Sequence, residues 1–84
     1  MRLFESAFGE VIRKRRRELG LSQEDLGFRS GLHRTYISEI ERGLKSPSLR
    51  VVFAISEALN TNMSALILAT EKRLTAEQIT LQDN

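Results

Sequence analysis

The chain has 84 residues, 40% of them hydrophobic, which is enough for one small domain with its own core. It has no cysteine and one histidine, which excludes disulfides, thiolate chemistry and multi-histidine metal centres, and no apolar run approaches the roughly 20 residues of a membrane span. The net charge of +2 is unevenly divided, because residues 1–50 are basic and residues 51–84 slightly acidic, which favours an anionic partner on one face.

The first predicted helix spans residues 4–19, with an apolar stripe that includes Phe8 and Ile12. Residues 13–17 are all basic, but at about 100° per residue they spread around the whole helix and cannot form one contact patch. Arg16 follows Ile12 by four positions, at the edge of the expected core. It is therefore our candidate for an internal ion pair.

Two short helical patterns follow, separated by Gly31. Ser22 is the predicted N-cap of the first, since acidic residues follow it, and Gly31 can end that helix in a left-handed conformation. The second helix has His33 or Thr35 as its N-cap and ends at Gly43. Its outward polar side chains are those of Arg34, Thr35, Ser38 and Arg42. This face indicates a surface that contacts a polar partner.

A loop around Pro47 leads to a fourth predicted helix over residues 49–59, with Ser48 as its N-cap. A short fifth helix is expected over residues 63–69. Both helices carry apolar side chains on more than one side, which indicates burial against a second chain. Packing within one small domain is the alternative explanation.

We select Leu66 and Ile67 as the dimer interface, together with part of the fourth helix. Residues 71–84 are expected to form a tail that is weakly structured or contributes to dimerisation. The tail contains a possible capping box at Thr75, but few residues follow it, and Thr80 and Leu81 also fit a short strand.

These motifs together resemble the Cro/C1-type helix-turn-helix family of bacterial and phage transcription regulators. The resemblance is carried by LGLSQEDL (19–26), SGL (30–32), YIS (36–38), IERG (40–43), PSL (47–49) and AL (58–59). It implies an all-α, compact five-helix, lambda-repressor-like DNA-binding domain over residues 1–70, with the helix-turn-helix at helices two and three. The short length and residues 34–38 look like the controller proteins of restriction–modification systems. Gly27 departs from the family, which commonly has alanine there; it either permits close helix packing or weakens the helix.

The resemblance also implies that the third helix lies in the DNA major groove. The implied base contacts are Arg34, Thr35, Tyr36, Ser38 and Glu39. The implied DNA backbone contacts are Gln23, Arg42, Lys45 and Ser46. The alternative for Tyr36 is a packing role. For Glu39 we favour a role in holding the side chain of Arg34 or Arg42 in place. Glu41 occupies a family position that pairs with an arginine of helix one, here Arg16, as a structural ion pair.

The predicted function is that of a sequence-specific transcription regulator, a repressor or an autoregulating controller, which binds a pseudo-palindromic operator as a homodimer. We expect a cytoplasmic protein that is not an enzyme and needs no metal, cofactor, membrane or small-molecule effector. One alternative is an antitoxin that also represses its own operon. Another is a protein-interaction adaptor that does not bind DNA.

Overall fold

The computed structural model describes the backbone of residues 3–82 and the side chains of residues 3–76. Within this range the chain is all-α, as predicted. The five helices are α1 (Leu3–Glu18), α2 (Gln23–Ser30), α3 (Arg34–Glu41), α4 (Leu49–Ala58) and α5 (Met63–Gln82). α1 packs against α3 and α5, while α2 packs against α3 and α4.

The ends of α2 are determined by the residues that the sequence indicates. The Ser22 hydroxyl accepts a hydrogen bond from the Asp25 backbone N–H, and the Asp25 carboxylate accepts one from the Ser22 N–H, both at 2.9 Å. The hydrogen bond from the Ser22 backbone N–H, followed by the effect of the Ser22 side chain, lowers the pKa of the Asp25 carboxyl. At the other end Gly31 has a φ of 74°, and its N–H donates to the Gly27 carbonyl.

The two possible caps of α3 are resolved in favour of His33. Its Nδ1 atom accepts a hydrogen bond from the Thr35 backbone N–H at 3.0 Å. Ser48 caps α4 as predicted, because its hydroxyl accepts from the Val51 N–H at 3.2 Å. These hydrogen bonds satisfy backbone donors that an uncapped helix would leave without partners.

Gly27 permits a close approach rather than merely weakening its helix. A Cβ atom at this position would lie 2.5 Å from the Leu32 carbonyl oxygen, so the turn between α2 and α3 has no room for a side chain there. Gly9 serves the same purpose between α1 and α3, where a Cβ would overlap the Ile40 carbonyl oxygen. The two glycines let the helix-turn-helix pack closely onto itself and onto α1.

The hydrophobic core draws on all five helices. Its buried side chains are Phe8, Ile12, Leu26, Ile37, Ile40, Val52, Ile55, Ala58, Leu59 and Leu66. Leu66 is only 3% exposed, so its assignment to a dimer interface is wrong: the side chain fills the core of its own domain. Among the described residues no single helix is long and apolar enough to span a membrane; α4 and the start of α5 meet that criterion only as a pair bent by 103°.

α5 is longer than predicted, and this corrects the expectation for the tail. The helix does not end near residue 69 but continues to Gln82, so the backbone at Thr80 and Leu81 is helical and does not form a strand. Residues 64–82 contain neither glycine nor proline, and Thr70 is fully buried with its hydroxyl bonded to the Leu66 carbonyl at 2.8 Å. Packing along α1 thus supports a helix that would be marginal alone. The predicted dimer contacts of side chains 77–84 lie outside the described residues.

Candidate nucleic-acid interface

The outward side of α3 carries polar side chains, whereas its inward side is locked into the core. Ile37 and Ile40 are buried, while Arg34 and Thr35 are exposed and Ser38 is half-buried. The short turn after α2 and the buried inner side of α3 fix the direction in which the outward face of α3 points. The structure therefore presents Arg34, Thr35 and Ser38 together, as the sequence predicts.

The guanidinium of Arg34 is available to a ligand. Its Nη1 atom lies 3.8 Å from Glu24 Oε2, and the two side chains are 67% and 78% exposed. An ion pair this long and this exposed contributes about 0–1 kcal/mol, so a ligand can displace Glu24 easily. The sequence did not indicate this partner.

Tyr36 has a different environment from its neighbours. Its side chain is half-buried and packs against the core cluster. This supports a packing role for at least part of the ring, which was the alternative to a DNA contact.

Glu39 does not have the orienting role that we favoured. Among the described residues it forms no ion pair, since Arg34 lies near Glu24 and the Arg42 Nε atom donates to the Ser38 carbonyl at 3.4 Å. Five helical positions separate Arg34 from Glu39, which places them on different faces. Arg42 is the C-cap of α3, where the backbone leaves the helix, and its side chain folds back on the last turn.

Arg16 and Glu41 form the ion pair that fixes α1 to the end of α3. Arg16 Nε donates to Glu41 Oε2 at 2.7 Å, and Arg16 Nη2 donates to Oε1 at 2.9 Å. A third hydrogen bond runs from Arg16 Nη1 to the Leu21 carbonyl at 2.8 Å. Arg16 is 8% exposed and Glu41 1%, so this is a buried bidentate pair.

The charge of Glu41 is stabilised despite its burial. Burial by itself raises the pKa of the carboxyl, but hydrogen bonds from Arg16 and Gln23 and the nearby charges of Arg16 and Arg13 outweigh it and lower the pKa. Correspondingly, the hydrogen bond to Glu41 raises the pKa of Arg16 against the effect of burial. The pair is therefore ionised at neutral pH.

Gln23 is held by the same carboxylate. Its Nε2 atom donates to Glu41 Oε1 at 3.0 Å, which gives the side chain a fixed direction at the first residue of α2. The carboxamide keeps one N–H and its carbonyl oxygen for other contacts. Beyond α3, Arg42, Lys45 and Ser46 are exposed in the loop before α4. The sequence placed these residues correctly on the surface but did not indicate the link between Gln23 and Glu41.

Comparison with known proteins identifies the family. The sequence profile described as helix-turn-helix matches residues 12–66, from the middle of α1 to the start of α5. The chain belongs to the helix-turn-helix family. The resemblance to Cro/C1-type transcription regulators is thereby confirmed.

Helix-turn-helix relatives of this chain include restriction–modification control proteins. The control protein C.BamHI of Bacillus amyloliquefaciens is 44% identical over 61 residues, which cover 71% of this chain and 75% of that protein. The controller protein C.AhdI from Aeromonas hydrophila, whose crystal structure is known, is 39% identical in sequence to this chain. The two structures match with a TM-score of 0.73 over 74% of this chain and 94% of C.AhdI.

For a third relative, the structure of a complex with DNA is known. The restriction–modification controller protein C.Esp1396I, as a tetramer in complex with its natural 35 base-pair operator, is 33% identical. It has a TM-score of 0.78, and the match covers 86% of this chain and 95% of that one. The family and the likeness to controller proteins agree with the interpretation of the sequence.

Proposed function

We propose that this protein is a sequence-specific transcription regulator of the restriction–modification control type. The observation that carries the proposal is the exposed polar face of α3. The helix itself is held against α1 by the buried Arg16–Glu41 pair. A rigid recognition helix suits base reading, because contacts to base edges require fixed side-chain positions. The C.Esp1396I complex with its operator supports DNA as the partner. We place this activity in the cytoplasm, without a cofactor or small-molecule effector.

Arg34 is the principal base contact in this proposal. Its exposed fork of N–H donors matches guanine O6 and N7, and such a pair contributes about 1–3 kcal/mol of discrimination. The adjacent Thr35 offers a hydroxyl and a methyl group to base edges. The remaining base-contact residues are Tyr36, Ser38 and Glu39. The Glu39 carboxylate can accept a hydrogen bond from the N4 amino group of cytosine.

Four further residues contact the DNA backbone in this proposal. They are Gln23, Arg42, Lys45 and Ser46, at the start of α2 and beyond α3. Contacts to phosphates position the protein and make binding depend on salt, but they carry little sequence information. The free N–H groups at the start of α2 favour a phosphate there.

The protein acts as a homodimer in this proposal, because one such module reads only a few base pairs. A two-fold dimer would place two recognition helices about 34 Å apart in successive major grooves of a pseudo-palindrome. Support comes from an apolar groove between α1, α4 and α5, lined by Phe4, Leu49 and Ile67 among others. Phe4 is 42% exposed and Leu49 75%. Ile67 thus stays in the proposed interface, whereas Leu66 does not.

The decisive experiment is selection of bound sequences from random DNA, followed by footprinting. We expect a pseudo-palindromic sequence protected on two successive turns, and sedimentation at micromolar protein should show a dimer. Leu49→Ser should weaken the dimer and leave α3 intact, whereas Arg50→Ser, also exposed on α4, is the matched control. No enriched sequence, or a single protected half-site bound by a monomer, would contradict the proposal.

A further inference from the structure

The buried Glu41 carboxylate attracts a second arginine of α1, Arg13. Arg13 Nε lies 3.6 Å from Glu41 Oε1, the same oxygen atom that accepts the hydrogen bond from Gln23 Nε2 at 3.0 Å. The Arg13 side chain is 31% exposed, whereas that of Glu41 is fully buried. The Arg13 guanidinium therefore approaches the same oxygen atom that holds Gln23, the first residue of α2, and it is in contact with solvent.

Arg13 is a secondary partner of Glu41, because its charge is the smallest of the effects that lower the pKa of that carboxyl. Arg16 already satisfies the carboxylate with hydrogen bonds of 2.7 and 2.9 Å, and a separation of 3.6 Å is too long for another. The other partner of Arg13 is Glu10, whose Oε1 lies 3.2 Å from Nη1 and whose side chain is 43% exposed. Such an exposed pair three positions apart on a helix is weak, and a competing anion can displace it.

Within residues 13–17, only Arg13 and Arg16 form ion pairs with Glu41. Arg15 Nε donates to the Leu59 carbonyl at 3.0 Å, on the side of α1 that faces the end of α4. Lys14 and Arg17 are exposed and line a surface depression together with Arg13 and with Arg73 of α5. Arg13 is thus the partly exposed cation that approaches the Glu41 oxygen atom bonded to Gln23.

We propose that Arg13 contacts the same DNA phosphate as Gln23, with Glu41 as the residue that positions both. The inference rests on the proposed DNA-binding function and adds a DNA backbone contact to it. The phosphate would meet the Arg13 guanidinium, the free N–H of the Gln23 carboxamide and the positive end of the α2 dipole. On binding, Arg13 exchanges its contact with Glu10 for one with the phosphate.

The test is the salt dependence of binding to the selected DNA sequence. Arg13→Gln should reduce the slope of log K against log salt concentration by about 0.9 per half-site, the value of one phosphate contact on B-DNA. A fourfold increase in salt would then weaken the wild type about 3.5-fold more per half-site than the variant. Arg17→Gln removes the same charge from an exposed position of the same helix and should change the slope much less.

Two further variants separate a contact from a structural effect. Arg13→Lys keeps the charge and should retain the slope. Glu10→Gln removes the competing carboxylate, so it should tighten binding more in the wild type than in an Arg13→Gln background. If the wild type binds DNA but Arg13→Gln and Arg17→Gln have equal salt slopes, the phosphate contact of Arg13 is wrong and the proposed function still stands. A wild type that shows no DNA binding would overturn the proposed function and this inference with it.

Discussion

Replacement of Arg16 by alanine tests how the recognition helix is held. The substitution removes both hydrogen bonds to Glu41 and the one to the Leu21 carbonyl, and it leaves a carboxylate that is 1% exposed. Loss of one partner from a buried ion pair costs about 3–5 kcal/mol because the other charge is stranded. Gln23 and Arg13 remain beside Glu41, so we expect the lower end of this range.

A loss of about 3 kcal/mol should lower the melting temperature by roughly 12–24 °C, since each kcal/mol shifts a domain of this size by about 4–8 °C. Thermal unfolding followed by circular dichroism measures this directly. Arg17→Ala is the matched control, because Arg17 is the next residue of α1 and is exposed. DNA affinity should fall together with stability in Arg16→Ala.

The variant also has a characteristic pH dependence. In the wild type the lowered pKa of Glu41 contributes stability above the pKa of an unfolded glutamate, about 4.3, and this is lost as the pH falls through the lower folded value. Arg16→Ala should show a shallower loss of stability in acid. A melting temperature within about 2 °C of the wild type at neutral pH, less than the shift for 1 kcal/mol, would refute the reasoning.

Three further predictions concern other parts of the molecule. Arg34→Ala should cost about 1–3 kcal/mol in binding to the selected sequence and relax specificity at one base pair, without changing the melting temperature, because Arg34 is exposed; binding to sequences altered at single positions measures this. Gly27→Ala should destabilise by about 1–3 kcal/mol, because the added Cβ would lie 2.5 Å from the Leu32 carbonyl oxygen; urea unfolding would instead show a gain if helix propensity dominated. Asp25→Asn should lower the stability at neutral pH but not at a pH where Asp25 is protonated. The lowered pKa of the Asp25 carboxyl means that the ionised side chain stabilises the folded state more than the protonated one; melting curves of the variant and the wild type at pH 7 and in acid test this.

Local signals in the sequence determined most of the helix ends. Ser22 and Ser48 cap their helices as predicted, and Gly31 ends α2 in the left-handed conformation, because each of these functions depends on backbone groups only a few residues away. The same applies to the outward face of α3. Helical spacing separates Arg34 and Thr35 from Ile37 without reference to any other part of the chain.

The length of α5 and the role of Leu66 required the tertiary structure. Apolar residues on several sides of a short helix look the same whether they meet a second chain or the rest of their own domain. Here α5 packs against α1, and contacts distant in sequence bury Leu66 and Thr70 in a helix that continues to Gln82. Helix propensity could not have shown this, because packing supplies most of the stability of a helix in a protein.

The Arg16–Glu41 pair was predicted in part from the sequence and required the tertiary structure for the rest. The family resemblance indicated which residues pair, but only the structure shows that Glu41 is shared with Gln23 and approached by Arg13. The sequence by itself determined most of the helix ends, the caps and the exposed face of α3, which follow from nearby residues. The tertiary structure alone decided which side chains of α1 and α2 converge on the buried carboxylate of α3, because Gln23 and Arg16 are 18 and 25 residues from Glu41 in the sequence and meet it only through helix packing.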